Sequence, residues 1–229
     1  MSQVYSLLIF AVGITSVVIS ILLGNEFTVN IKPIFHLLLL AYYIVSVKHI
    51  KIPVLVFFVC AMVGETLVAK GFEENYQFIV FLFTVCFASG IVVVYPFLGK
   101  TVLKFKLPEI ITTCIVIFGV GYIMVLMFNI FTNRLQEYVQ FGLVSATFIV
   151  YIASCFYIAA FNTHPKRLSL FLVGCCYIIT VVGTLIHELF FQHPLLMGLV
   201  NLSEIIAQFS FAYFAVHYYK KRTVTSELI

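Results

Sequence analysis

Apolar runs long enough to cross a lipid bilayer recur along almost the whole chain of 229 residues. A hydrocarbon core about 30 Å thick needs roughly 20 apolar residues in a helix that rises about 1.5 Å per residue. Eight such runs are present, at residues 4–23, 31–47, 52–68, 78–98, 110–131, 138–161, 168–186 and 195–218. They predict an all-α bundle of about eight transmembrane helices, forming one integral membrane domain over residues 1–229.

The composition excludes a soluble globular protein. Hydrophobic residues make up 63% of the chain and charged residues 10%, whereas soluble domains have about 45–50% apolar and about 25% charged residues. The first apolar run lacks a basic leader and a small-residue cleavage pattern, so we expect it to remain as the first span. We therefore expect this protein to act within or at the membrane.

Lysine and arginine are concentrated at one side of the predicted spans. Positively charged residues that flank a transmembrane helix are retained on the cytoplasmic side. Ten of the 13 Lys and Arg residues fall on the side shared by the even-numbered loops and the C-terminus: Lys48, Lys51, Lys100, Lys104, Lys106, Lys166, Arg167, Lys220, Lys221 and Arg222. The bias predicts that both termini are cytoplasmic. It also favours contact with anionic lipid headgroups, and it does not imply nucleic acid binding.

Polar and ionisable side chains are rare within the predicted spans. Such groups are costly at membrane depth unless they are paired, and they often mark a function. The candidates are Lys32, His36, Glu65, His187, Glu188, Asn201, Glu204 and Gln208. With the predicted orientation, all of them lie in the outer half of the membrane. They favour one shared polar site in an outward or laterally open cavity of about 300–1,000 Å³.

Structural roles are an alternative for several of these residues. Charges within a turn of a span end, such as Lys32, His187 and Glu188, are often interfacial side chains that reach toward the headgroups. Asn201 and Gln208 are typical of hydrogen bonds between transmembrane helices. The deeper carboxyl groups are the stronger functional candidates.

Three short stretches resemble landmarks of the YhhN membrane family, which includes the bacterial and animal lysoplasmalogenases. They are Lys32-Pro33 in the second span, Gly64-Glu65-Thr66-Leu67 in the third, and Ser203-Glu204-Ile205-Ile206-Ala207-Gln208 in the eighth. The family is similar to this chain in length and in having about eight spans. It typically has Gly-Asp where this chain has Gly64-Glu65, and this chain contains no Asp.

The resemblance implies a multi-pass enzyme of the bacterial cytoplasmic membrane that hydrolyses the vinyl ether bond of lysoplasmalogens and needs no cofactor. A proton is delivered to the vinyl carbon, and water attacks the resulting oxocarbenium ion. The predicted catalytic residues are Glu65 as the acid and Glu188 as its partner. Lys32 would hold the anionic phosphate of the lipid. The other predicted substrate-binding residues are His36, His187, Asn201, Glu204 and Gln208.

Other functions are compatible with the same residues. A metal-dependent hydrolase would use His36, His187 and Glu65, but no H-E-x-x-H or comparable spacing occurs, and we predict no metal site. A carrier or binding protein for a lipid or small amphiphile would use the same polar pocket. A non-catalytic membrane subunit is the third alternative. The six cysteines all lie inside predicted spans, where they are typical of small apolar packing residues, so we predict no disulfide.

Overall fold

The chain is a bundle of long α-helices in the computed structural model. The structure describes residues 2–99, 138–162, 164–190 and 192–226, together with isolated helical positions at 111, 114–115, 118–119, 121–122, 125–126 and 129. The helices are α1 (Ser2–Leu22), α2 (Ile31–Val47), α3 (Ile52–Lys70), α4 (Tyr76–Leu98), α5 (Tyr138–Phe161), α6 (Arg167–Leu189) and α7 (Pro194–Ser226). A short 3₁₀ helix, Asn25–Thr28, connects α1 to α2. The predicted all-α membrane bundle is confirmed.

The described part contains seven helices that are long and apolar enough to cross a membrane, where the sequence predicts about eight in the whole chain. The seven agree with predicted spans to within a few residues at most ends. The exception is α7, which continues beyond residue 218 to Ser226. The predicted fifth span, 110–131, lies largely outside the described residues.

The consecutive helices α4 and α5 run in the same direction. At one end, Asn162 just after α5 donates a hydrogen bond from Nδ2 to the carbonyl oxygen of Phe97 in α4, at 3.0 Å. At the other end, Tyr76 and Phe141 from the first turns of α4 and α5 line the same cavity. The two helices are therefore parallel neighbours in the bundle.

In the described part, each helix from α1 to α7 packs against the helix numbered before it and the helix numbered after it. The last helix, α7, also packs against α1 and α2. Close approach depends on small residues, because lipid provides no hydrophobic force between helices and packing contacts become decisive. A Cβ atom added at Gly90 of α4 would lie 2.6 Å from the ring of Tyr151 in α5. One added at Gly174 of α6 would lie 2.8 Å from Phe156.

Aromatic side chains fill the middle of the bundle. Five rings from five helices form this aromatic core, and each is at most 2% exposed: Phe57, Phe87, Tyr151, Tyr177 and Phe211. The centroids of Phe57 and Phe211 are 4.1 Å apart, and those of Phe87 and Tyr151 are 5.8 Å apart. The core therefore ties α3, α4, α5, α6 and α7 together at mid-depth.

Candidate functional site

A buried ionic cluster joins α2, α3 and α7 near the end of the bundle at which α1, α3 and α6 finish, referred to below as the outer end. Lys32 Nζ lies 3.2 Å from Glu65 Oε2 and 3.2 Å from Glu204 Oε2. The three residues are only 3%, 5% and 2% exposed. With His36, which is 1% exposed, they form what we call the polar cluster.

The local sequence accounts for these positions. Lys32 lies in the first turn of α2, where Pro33 is tolerated because the first backbone N–H groups have no partner within the helix. His36 follows four residues later, so the two side chains share one helix face. Glu65 comes five residues before the end of α3, and Glu204 lies ten residues into α7. Because α2 and α7 begin at the outer end and α3 ends there, these positions place the side chains at a similar depth.

His36 completes the cluster through both ring nitrogens. Its Nδ1 lies 2.8 Å from the carbonyl oxygen of Lys32, and because a carbonyl only accepts, Nδ1 must carry the hydrogen. Its Nε2 then faces Glu204 Oε1 at 3.8 Å. In the neutral ring, Nε2 is an acceptor, as is the carboxylate oxygen of Glu204. The contact between them becomes favourable when a proton is bound to His36 Nε2 or to Glu204 Oε1. The cluster has two carboxyl groups for one ammonium, and one such proton makes it electrically neutral.

A small pocket lies on the α1 side of the polar cluster. Its walls are Ser16, Lys32, Phe35, Asn201, Glu204 and Ile205. Asn201 Nδ2 donates a hydrogen bond to Asn25 Oδ1 of the 3₁₀ helix at 3.2 Å. The 3₁₀ helix also packs against α1, α2 and α3, so it covers the cluster at the outer end.

A larger cavity lies on the other side of the polar cluster, between α3, α4, α5 and α6. It encloses about 740 Å³ including its open mouth, and Glu65 forms part of its wall. Most of the lining is apolar, including Val68, Phe83, Val144, Phe148, Val181 and Leu185. The hydroxyl groups on the lining belong to Tyr76, Ser145, Tyr177, Thr180 and Thr184. We call this space the Glu65 cavity.

Glu188, the predicted partner of Glu65, forms an ion pair with its neighbour His187. His187 Nδ1 lies 3.2 Å from Glu188 Oε1 at the end of α6, and both side chains are partly exposed. Within the described part of the chain, neither residue has a hydrogen bond or ion pair with the polar cluster. The carboxyl group that lies beside Glu65 is that of Glu204. The catalytic and binding roles themselves stay predictions.

Gln208 lies one turn beyond Glu204 on the same face of α7 and is fully buried. Neither of its amide atoms has a hydrogen-bond partner among the described residues. Of the eight residues predicted from sequence, the polar cluster unites Lys32, His36, Glu65 and Glu204. Asn201 is in the adjoining pocket.

Sequence reasoning missed the hydroxyl groups of the Glu65 cavity. Ser and Thr in transmembrane helices commonly bond to a carbonyl one turn back, so they carry little signal. Thr180 does so, donating to the carbonyl oxygen of Cys176 at 2.9 Å. The recurrence of Tyr177, Thr180 and Thr184 on one face of α6 is the pattern that could have revealed them.

No group of three or more His, Cys, Asp or Glu side chains in the described residues is arranged to hold a metal ion. The arrangement can instead hold and exchange a proton within the polar cluster, next to an apolar space. Comparison with protein-family models, with curated proteins and with solved structures gives no match for this chain.

Proposed function

We propose that this integral membrane protein binds a single-chain amphiphile in the Glu65 cavity. The observation that carries the proposal is a mostly apolar space between four helices, with one carboxyl group in its wall. Small-molecule sites are typically mostly apolar, with a few polar groups that orient the ligand. The Glu65 cavity has this kind of lining.

The surroundings support an occupant taken from the bilayer. The cavity is bounded by four transmembrane helices, so a hydrocarbon chain inside it replaces contacts with lipid by contacts with apolar side chains. We place the protein in the cytoplasmic membrane of a bacterium, as the family resemblance implies, with the Glu65 cavity in the outer half, as the distribution of Lys and Arg indicates. Membrane lipids are then both its solvent and its source of ligand.

Binding is tested with a pair of matched substitutions on α5. Val144 lines the Glu65 cavity, whereas Val150 on the same helix is 51% exposed on the outside of the bundle. We expect purified wild type and Val150→Phe to retain a single-chain lipid detectable by mass spectrometry, and to bind a fluorescent monoacylglycerol. Val144→Phe should lose both, because the ring fills the space. Equal lipid content and binding in the two variants would reject the proposal.

A second candidate function is hydrolysis of the vinyl ether bond of a lysoplasmalogen in the same cavity. The observation that favours it is that two carboxyl groups, those of Glu65 and Glu204, both contact the ammonium of Lys32. A proton from Glu65 would go to the vinyl carbon, and water would add to the oxocarbenium carbon. The resulting hemiacetal would break to an aldehyde and the free glycerol hydroxyl, while the proton lost by water returns to the carboxyl pair.

Turnover by purified protein separates the enzyme from the binder. If the chain is an enzyme, Glu65→Gln should abolish aldehyde release, because an amide keeps volume and hydrogen bonding but supplies no acid proton. Glu204→Gln should lower the rate strongly. Glu188→Gln should retain most of it, since among the described residues Glu188 has no hydrogen bond or ion pair with the polar cluster. Lipid bound without any aldehyde release would leave binding as the function. A large loss in Glu188→Gln alone would restore the originally predicted pair.

A further inference from the structure

Lys32 is not available to an anionic headgroup. Its ammonium is buried and is held at 3.2 Å by one carboxylate oxygen from each of two glutamates. These oxygens accept two of the three N–H donors of Nζ, so an anion approaching Nζ would meet two carboxyl groups at close range. The polar cluster therefore uses its one lysine to balance its own carboxyl groups, and the phosphate-binding role expected from the sequence has no geometric support.

The wall of the Glu65 cavity carries no positive charge. Among the described residues that line the cavity, Glu65 is the one acidic residue, and none is Lys, Arg or His. The field inside the cavity is therefore set by a carboxyl group. A negatively charged ligand group placed there would be desolvated without a counter-charge, which is strongly unfavourable in an apolar environment.

The hydroxyl groups favour a ligand that donates hydrogen bonds. Thr180 uses its own hydrogen on the carbonyl of Cys176, so toward the cavity its oxygen can only accept. The hydroxyl oxygens of Ser145 and Tyr177 are buried and have no partner among the described residues. They can accept from a ligand or donate to it. Glu65 adds a carboxyl group whose Oε2 also accepts from Lys32, so these four residues present more acceptors than donors.

We propose that the Glu65 cavity selects amphiphiles whose polar end is an uncharged or cationic hydrogen-bond donor, an amine or a hydroxyl, over amphiphiles that end in a carboxylate or phosphate. The donor binds at the level of Glu65, Ser145 and Thr180. The apolar chain lies along the aromatic and aliphatic lining toward the outer end, where Phe72 and Leu185 line the cavity. This inference rests on the proposed function of amphiphile binding and names the class of ligand.

The test uses three ligands of equal chain length, octylamine, octanol and octanoate, near neutral pH. Binding to detergent-purified protein is measured as the concentration dependence of the thermal unfolding midpoint, with Val144→Phe and Val150→Phe as paired controls. We expect octylamine to bind wild type roughly tenfold or more tightly than octanoate, as a charged hydrogen bond allows. Octanol should fall between them. The effects should persist in Val150→Phe and vanish in Val144→Phe.

Glu65→Gln shows whether the carboxyl group causes the preference. This variant keeps the Lys32–Glu204 pair, so the polar cluster stays charge-balanced and the fold should persist. We expect octanol binding to remain and the advantage of octylamine over octanol to disappear. Tighter binding of octanoate than octylamine, or an unchanged preference in Glu65→Gln, would overturn the inference while leaving amphiphile binding intact. If each of the three ligands binds Val144→Phe as tightly as Val150→Phe, the proposed function is contradicted as well.

Discussion

The polar cluster and the aromatic core join overlapping sets of helices by opposite means. In the polar cluster, two carboxylates from α3 and α7 converge on a single ammonium from α2. In the aromatic core, five rings from five helices make many weak contacts, and no single contact holds the five helices together. The cluster is therefore sensitive to which charge is removed, whereas the core is sensitive to how much volume is added or removed.

The Glu65 cavity lies where these two regions meet. Phe87 and Tyr177 of the aromatic core line its inner part, and Glu65 of the polar cluster lines its side. Toward the outer end, Val68, Ile79, Phe141 and Leu185 from α3, α4, α5 and α6 form one buried apolar cluster, and the same residues line the cavity. Because helix association in lipid depends on packing and polar contacts, the polar cluster is well placed to hold the outer end together around an open space.

The largest effect is expected from Lys32→Met. The substitution keeps an unbranched side chain of similar length but leaves two buried carboxyl groups next to each other without a counter-charge. Removal of one partner from a buried ionic pair typically costs about 3–5 kcal/mol of unfolding free energy. We expect a loss of this size in denaturant titrations of the purified protein.

A compensating triple variant tests the cause. In Lys32→Met combined with Glu65→Gln and Glu204→Gln, no ionised group remains among these three residues, so most of the lost stability should return. If the triple variant is as unstable as Lys32→Met alone, the contribution of Lys32 is its packing and not its charge.

The second prediction concerns the volume tolerance of the aromatic core. Gly90→Ala would place a methyl group 2.6 Å from the ring of Tyr151. Overpacking of this kind costs about 1–3 kcal/mol, and we expect a lower melting temperature. Gly142→Ala is the matched control in the neighbouring helix, because an added Cβ there meets nothing within 4 Å. Equal stability of the two variants would mean that α4 and α5 can move apart freely.

The fold was largely predictable from the sequence, because a bilayer imposes one length and one composition on every crossing. The runs around α1 to α7 satisfy both, and the structure changes their ends by a few residues, except that α7 continues to Ser226.

The candidate site was predictable only in part. Depth along the helix axis follows from residue position, so Lys32, Glu65 and Glu204 could be placed at one level. Rotation about the axis does not follow from position in an apolar helix, where the lipid-facing and buried sides have similar residues. The sequence therefore pairs Glu188 with Glu65 only through their depth and the family resemblance, whereas in the structure Glu188 Oε1 lies 3.2 Å from His187 Nδ1. The Glu65 cavity arises from packing that no single helix encodes.

The third prediction separates charge from hydrogen bonding within the polar cluster. Glu204→Gln leaves the ammonium of Lys32 paired with Glu65, and the amide oxygen can still accept from Nζ. The expected loss of unfolding free energy is therefore about 1 kcal/mol or less, the usual net value of one hydrogen bond. Glu65→Gln should behave alike. A loss as large as that of Lys32→Met would show that both carboxylates are needed for the fold, and that one counter-charge for Lys32 is not enough.

The smallest change in stability is expected at the boundary between the two regions, in Gln208→Met. Gln208 is fully buried one turn from Glu204, and its amide nitrogen and oxygen have no partner among the described residues. A buried polar group without a hydrogen bond is unfavourable, and Met has a similar length without that penalty. We therefore expect an unfolding free energy equal to or slightly above that of wild type.

Ala212→Met, one turn further along α7 at another fully buried position, is a control for added volume and should be less stable than wild type. A clear loss of stability in Gln208→Met would mean that the amide is satisfied in the membrane and that the polar cluster extends into the aromatic core.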